Sequence, residues 1–239
     1  PVMGDYLDMA NNNKSDAVRG TDPNENYARE VLQLFSVGTY LLNPDGTQQL
    51  DASGKARFTY DQAAVKGFSR VFTGWTYPTV AGVQPRNNNP RNYLGDMRPV
   101  EANHETGTKP LLGGTLAPAG MTMQDDLAFA HRNIFQHPNV GPFIGKQLIQ
   151  HLVTSNPSPA YVERVARAFN DNGSRVRGDL RTVVRAILLD PEARGDLKTE
   201  PRYGHLREPA TFLTALVRGV GGQSDRHDGL LYRAKFKTS

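Results

Sequence analysis

Cysteine is absent from the 239 residues. That removes disulfide staples, thiolate zinc sites and cysteine nucleophiles from consideration, and it leaves the redox compartment open. No apolar run approaches the roughly 20 residues that a bilayer-spanning helix needs, so no transmembrane segment is expected. No leader peptide is visible either. The chain opens at Pro1 rather than Met, however, so a natural start further upstream is expected and the missing leader carries no information. Lys and Arg form no basic arm. Their excess is only +4 and is scattered over several segments, which predicts a solvated basic surface and no nucleic-acid partner. The GxSxG elbow, the P-loop, the GxGxxG turn and the HExxH pair are all missing. His131 and His137 are poorly spaced for one metal ion, so neither a metal site nor a cofactor is expected.

What is present points to helices. Hydrophobic residues make up 38% of the chain and charged residues 22%, enough apolar material for a core and no disorder signature. Asp22-Pro23-Asn24-Glu25 reads as a capping box, with Tyr27, Val31, Leu34 and Phe35 recurring at helical spacing and Gly38 as the stop. Thr59 to Gln62 caps a second helix whose apolar face runs from Ala64 to Trp75. Thr122, Pro142, Ser158-Pro159, Asp179 and Pro209 open five more, with Phe212, Leu213 and Leu216 facing inward on the last. Asn43-Pro44-Asp45-Gly46 and Ala52-Ser53-Gly54-Lys55 are turn signals inside one small β-hairpin or an irregular excursion. Between residues 76 and 121 the chain is rich in Asn, Pro and Gly, a long irregular loop with short strands expected near Tyr93 and Leu111. The predicted fold is therefore mainly α, a multi-helix bundle-like domain over residues 1–239 interrupted by that loop.

Several ordered motifs resemble one bacterial family, the domain of unknown function 1800. Asn24-Glu25-Asn26-Tyr27-Ala28-Arg29-Glu30, with Leu34-Phe35 and Gly38, resembles its ENYARE helix. Thr59-Tyr60 leading to Phe72-Thr73-Gly74-Trp75 resembles its TGW helix, and His104 to Lys109 with Leu112-Gly113 resembles its histidine–lysine loop. The family usually has Asp after that histidine, where this chain has Glu105. His137-Pro138 to Lys146, Asn156 to Pro159, Gly178-Asp179-Leu180, Asp190-Pro191-Glu192 and Arg207-Glu208-Pro209 follow in the family order. The resemblance covers nearly the whole chain. It implies a fragment of a longer domain that lacks parts of its own chain, and an exported protein of periplasm or cell exterior. It implies no reaction.

Candidate chemistry gathers in two places. Glu25 and Arg29 are four apart on one helical stripe, so they can form a polar site, with Arg29 binding an anion and Glu25 acting as acid or base; an ordinary helix ion pair satisfies the same spacing. His104 is the natural proton carrier of the long loop, and it can equally fix that loop by hydrogen bonds. The catalytic candidates are thus Glu25, Arg29 and His104. Lys109, Trp75 and Glu30 are ligand-binding candidates, although a Trp at a helix end is more often core. Asn43, Asp45 and Asp51, and the oxygen-rich stretch Asp8, Asn11, Asn13 and Asp16, have a faint calcium-loop flavour that turn formation explains better. Three functions remain open. One is a domain that binds or helps process an extracellular polymer or surface protein, one a hydrolase using Glu25, Arg29 and His104, and one an assembly protein without a ligand. The decisive geometry is whether Glu25, Arg29 and the polar side chains of the loop meet.

Overall fold

Thr122, Ser158 and Asp179 each hold a backbone N–H at the start of a helix with a side-chain oxygen, as their sequence positions require. The computed structural model describes residues 1–195 and 200–222. Within them helices dominate: α1 (Val2–Tyr6), α2 (Asn26–Gln33), α3 (Gln62–Val71), α4 (Met123–Gln136), α5 (Val140–Leu152), α6 (Pro159–Asn170), α7 (Leu180–Leu189), α8 (Pro191–Arg194) and α9 (Pro209–Gly219). No helix among the described residues is long and apolar enough to cross a membrane. The tail after residue 222 lies outside the described residues.

Two departures from the sequence reading have simple causes. Helix α2 starts at Asn26 with Glu25 as a cap residue that makes no side-chain cap bond, while Asp22 accepts a hydrogen bond from the Ser15 hydroxyl instead. The turn before α2 is closed by Asn24, whose Oδ1 accepts from the Asn26 N–H. The helix also stops at Gln33, one turn early, so Leu34 and Phe35 fall off the inward stripe. They are half exposed, and Ala28, Leu32 and Val37 take the core positions. On α9 likewise Phe212, Leu213 and Leu216 are about half exposed.

The excursion between Tyr40 and Phe58 is a stack of single bridges, Tyr40 with Phe58, Leu42 with Gln48 and Leu50 with Ala56. Asp45 and Asp51 close its two turns by accepting bonds from Thr47, and from Ser53 and Lys55. In each, Oδ1 is the oxygen that closes the turn.

The long loop is irregular but pinned. Strand β1 (Trp75–Thr76) pairs antiparallel with β2 (Arg98–Pro99), and β3 (Lys109–Pro110) with β4 (Leu116–Ala117). The strand expected near Tyr93 sits at 98–99 instead, and the half-exposed Tyr93 gives its hydroxyl to Asp5. Strand β3 lies directly on α3. A Cβ on Gly67 would come within 1.7 Å of the Pro110 carbonyl oxygen, so only glycine permits the approach. The core joins α2, α3 and the β3–β4 turn to α5, α6 and α7 through Phe68, Leu112, Ile149, Tyr161, Val165 and Ile187.

Candidate functional site

The residues singled out in the sequence fall into two groups, with no hydrogen bond or ion pair between them among the described residues. In the first, Arg29 Nη2 donates to Glu25 Oε2 at 2.9 Å. Gln62 Nε2 donates to both Glu25 oxygens, at 2.9 and 2.7 Å. Gln62 begins α3, so the three side chains clip the first turns of two helices together. Glu30 is half-buried on α2, and it and Arg29 act on Tyr60, whose hydroxyl is pushed up chiefly by burial. The Glu25 carboxylate is thus engaged by two neighbouring side chains, as a bridge between helices requires.

The second group is buried. His104 and Lys109 have fully enclosed side chains, and both meet Asp126 of α4. Asp126 Oδ2 lies 2.8 Å from His104 Nε2 and 2.5 Å from Lys109 Nζ. His104 Nδ1 faces the Thr73 carbonyl at 3.1 Å and the Thr73 hydroxyl at 3.2 Å. Lys109 also donates to the Gly107 carbonyl at 3.0 Å. Trp75 packs against the core with its indole N–H buried and without a hydrogen-bond partner among the described residues. These side chains organise the interior and the loop. They do not reach Glu25 and Arg29 to form one pocket.

A different site emerges where α1, the turn before α2 and the segment after β1 converge. Asp5, Asp8, Asn11, Asn12, Asn24, Tyr77, Asn89 and Arg91 line a polar cleft of about 550 Å³. Its frame is tied before any ligand arrives. Asn11 accepts from the Thr76 hydroxyl at 2.6 Å and donates to the Asn89 carbonyl. Asn89 donates to the Tyr77 carbonyl, and Asn12 exchanges hydrogen bonds with the Asn24 backbone in both directions. Asp8 and Asn11 both hold left-handed backbone, at φ 60° and 63°, which Asp and Asn tolerate better than other side chains. Asp5 accepts from Tyr77, from Tyr93 at 2.7 Å and from Arg91 Nε at 3.2 Å. The Tyr77 hydrogen bond, then that of Tyr93, holds the Asp5 carboxyl below its usual range, so it stays ionised. On the rim stand Asp8, whose Oδ2 accepts only from Asn26 among the described residues, the exposed Asn24 and the largely exposed Arg91. No group of three His, Asp or Glu side chains that could hold a metal ion occurs among the described residues.

Asp126 and Gln62 escaped the sequence reading. Asp126 had a legible signal: with Met123, Ala130 and Ile134 it forms the inward stripe of α4, and an acid on an apolar stripe demands a buried partner. The cleft had half a signal, in the oxygen-rich stretch around Asp8 and Asn11. Its other wall comes from residues 77–91, and no local pattern announces that pairing.

Against known proteins, the profile described as "Protein of unknown function (DUF1800)" matches residues 1–236. No curated protein and no solved structure matches the chain.

Proposed function

The chain belongs to the DUF1800 family of proteins of unknown function, and from that premise we propose that it is a binding domain for an extracellular polymer, specifically a polysaccharide, working outside the cytoplasm. The observation that carries this reading is the preorganised polar cleft. Polyhydroxylated ligands are held by planar amides and carboxylates that accept and donate to neighbouring hydroxyls, with a ring face stacked on an aromatic. Asp8 supplies the acceptor, and Asn24 and Arg91 supply donors; the half-exposed Tyr93 stands next to this lining, its hydroxyl on Asp5. Fixing Asn11, Asn12 and Asn89 beforehand lowers the ordering cost of binding. Export follows from the family resemblance and is tested by fractionating the cells that make the protein.

A hydrolase built on Glu25, Arg29 and His104 draws no support from the geometry, since His104 is enclosed with Asp126 and Lys109 while Glu25 serves Gln62 and Arg29.

The test is calorimetric titration with soluble oligosaccharides from cellulose, chitin and peptidoglycan. At least one is expected to bind. Asp8→Asn and Arg91→Gln should each weaken it roughly tenfold, about 1.4 kcal/mol, at unchanged melting temperature. Silence across the panel at millimolar ligand, or affinities untouched by both substitutions, would sink the reading.

A further inference from the structure

Among the described residues, a fully enclosed polar cluster takes no part in the cleft. Lys109 of β3 and Asp126 of α4 are fully buried, with Nζ and Oδ2 2.5 Å apart. A buried ion pair is ordinarily stable only when both carboxylate oxygens find donors. Here one oxygen is contacted twice, by Lys109 and by His104, while Asp126 Oδ1 has no hydrogen-bond partner among the described residues. The site therefore combines a desolvated charge pair, an amine in van der Waals reach of a carboxyl carbon, and an imidazole on the same carboxyl. The imidazole is aimed, because its other nitrogen is fixed by Thr73. Those are the requirements of an acyl condensation: proximity, exclusion of water and a positioned proton carrier.

We propose that Lys109 and Asp126 are joined in the folded protein by an intramolecular amide between Nζ and Cγ. The ammonium first gives one proton to Asp126 Oδ2, which lies 2.5 Å away, and this leaves a neutral amine beside a neutral carboxyl as the reacting pair. The amine lone pair attacks Cγ and the N–C bond forms. His104 takes a second proton from the nitrogen and returns it to Oδ2. The Cγ–Oδ2 bond breaks and Oδ2 departs as water. Of the three ammonium hydrogens, two leave in that water and one stays on the amide. No oxidant, nucleotide or metal is consumed. Oδ1 becomes an amide carbonyl oxygen, and both buried charges disappear. The bond ties β3 to α4 covalently, in a protein that has no cysteine for a disulfide.

Intact-mass spectrometry of the purified, denatured chain tests this. The expected mass is lower than that of the sequence by one water, about 18 Da, and a protease digest should contain one branched peptide joining Lys109 to Asp126. Lys109→Met should restore the full mass. His104→Asn keeps a donor toward Thr73 and removes the proton carrier, so it should leave a large unlinked fraction that closes slowly. Because the wild-type mass is decisive by itself, a variant that fails to fold does not rescue or harm the idea. Full sequence mass in a wild-type chain whose circular dichroism is helical overturns it. So does a mass deficit that maps to linear peptides only, as a succinimide at an aspartate would give. Linkage in His104→Asn as complete as in wild type would remove His104 from the reaction.

Discussion

His137 accepts the Asn139 N–H on Nδ1 at the start of α5, and His131 lies on α4 beside Phe35 and Phe135. Burial pulls both imidazoles below their ordinary value of 6.5, with Arg177 adding to the effect at His137. Protonation then favours the unfolded chain. Their contribution to stability is complete above pH 6.5 and is lost as pH falls from there through the folded-state values. Melting temperature should drop as pH falls below about 6.5, and His131→Gln with His137→Asn should flatten that part of the curve. An unchanged slope in the double variant would assign the acid sensitivity to other groups. At this scale the sequence was legible wherever one residue acts on its own neighbours. Thr122, Ser158 and Asp179 cap as read, and Asp45 and Asp51 close turns as read. It was illegible where the partner is remote. His104 reads equally as a proton carrier and as a residue that fixes the loop by hydrogen bonds until Asp126 and Thr73 are placed on its two ring nitrogens.

Helix α6 shows how caps and tertiary contacts share one side chain. Ser158 Oγ accepts the Tyr161 N–H at 3.1 Å and sits 2.5 Å from Glu192 Oε1, so the start of α6 and the start of α8 are held by one hydroxyl. Asp190 caps α8 and takes the Arg164 guanidinium from α6, which closes the same corner a second time. Ser158→Ala should cost about 1–2 kcal/mol, read as a lower urea midpoint at unchanged slope. A shift near zero would mean that Asp190 and Arg164 hold the corner without it. The helices of the second half were the most readable elements, since periodicity agrees with a capping residue at the starts of α4, α6 and α7 and with a proline at those of α5 and α9. Helix α2 misled because its capping-box letters at Asp22 and Glu25 are occupied elsewhere, one by Ser15 and the other by Arg29 and Gln62.

Across the whole molecule the loop from 76 to 121 behaves as two kinds of chain. Residues 79–88 are exposed, whereas His104, Lys109, Leu111, Leu112 and Ala117 are core. Hydrogen exchange should therefore separate them, with amides around 109–117 protected nearly as well as those of α3 and amides of 79–88 exchanging at once. Uniform fast exchange over the loop would contradict its role as core. Composition correctly indicated irregular backbone here, but Asn, Pro and Gly content says nothing about which apolar residues turn inward. The helical class was legible because it is written in local periodicity. The cleft was not, because it is a long-range pairing of residues 5–12 and 24 with residues 77–91. That same pairing sets the order of events in the life of the chain. Neither wall of the cleft is complete alone, so it exists only once residues 5–12 and 24 have closed on residues 77–91, and anything seated there would raise the melting temperature by holding that closure.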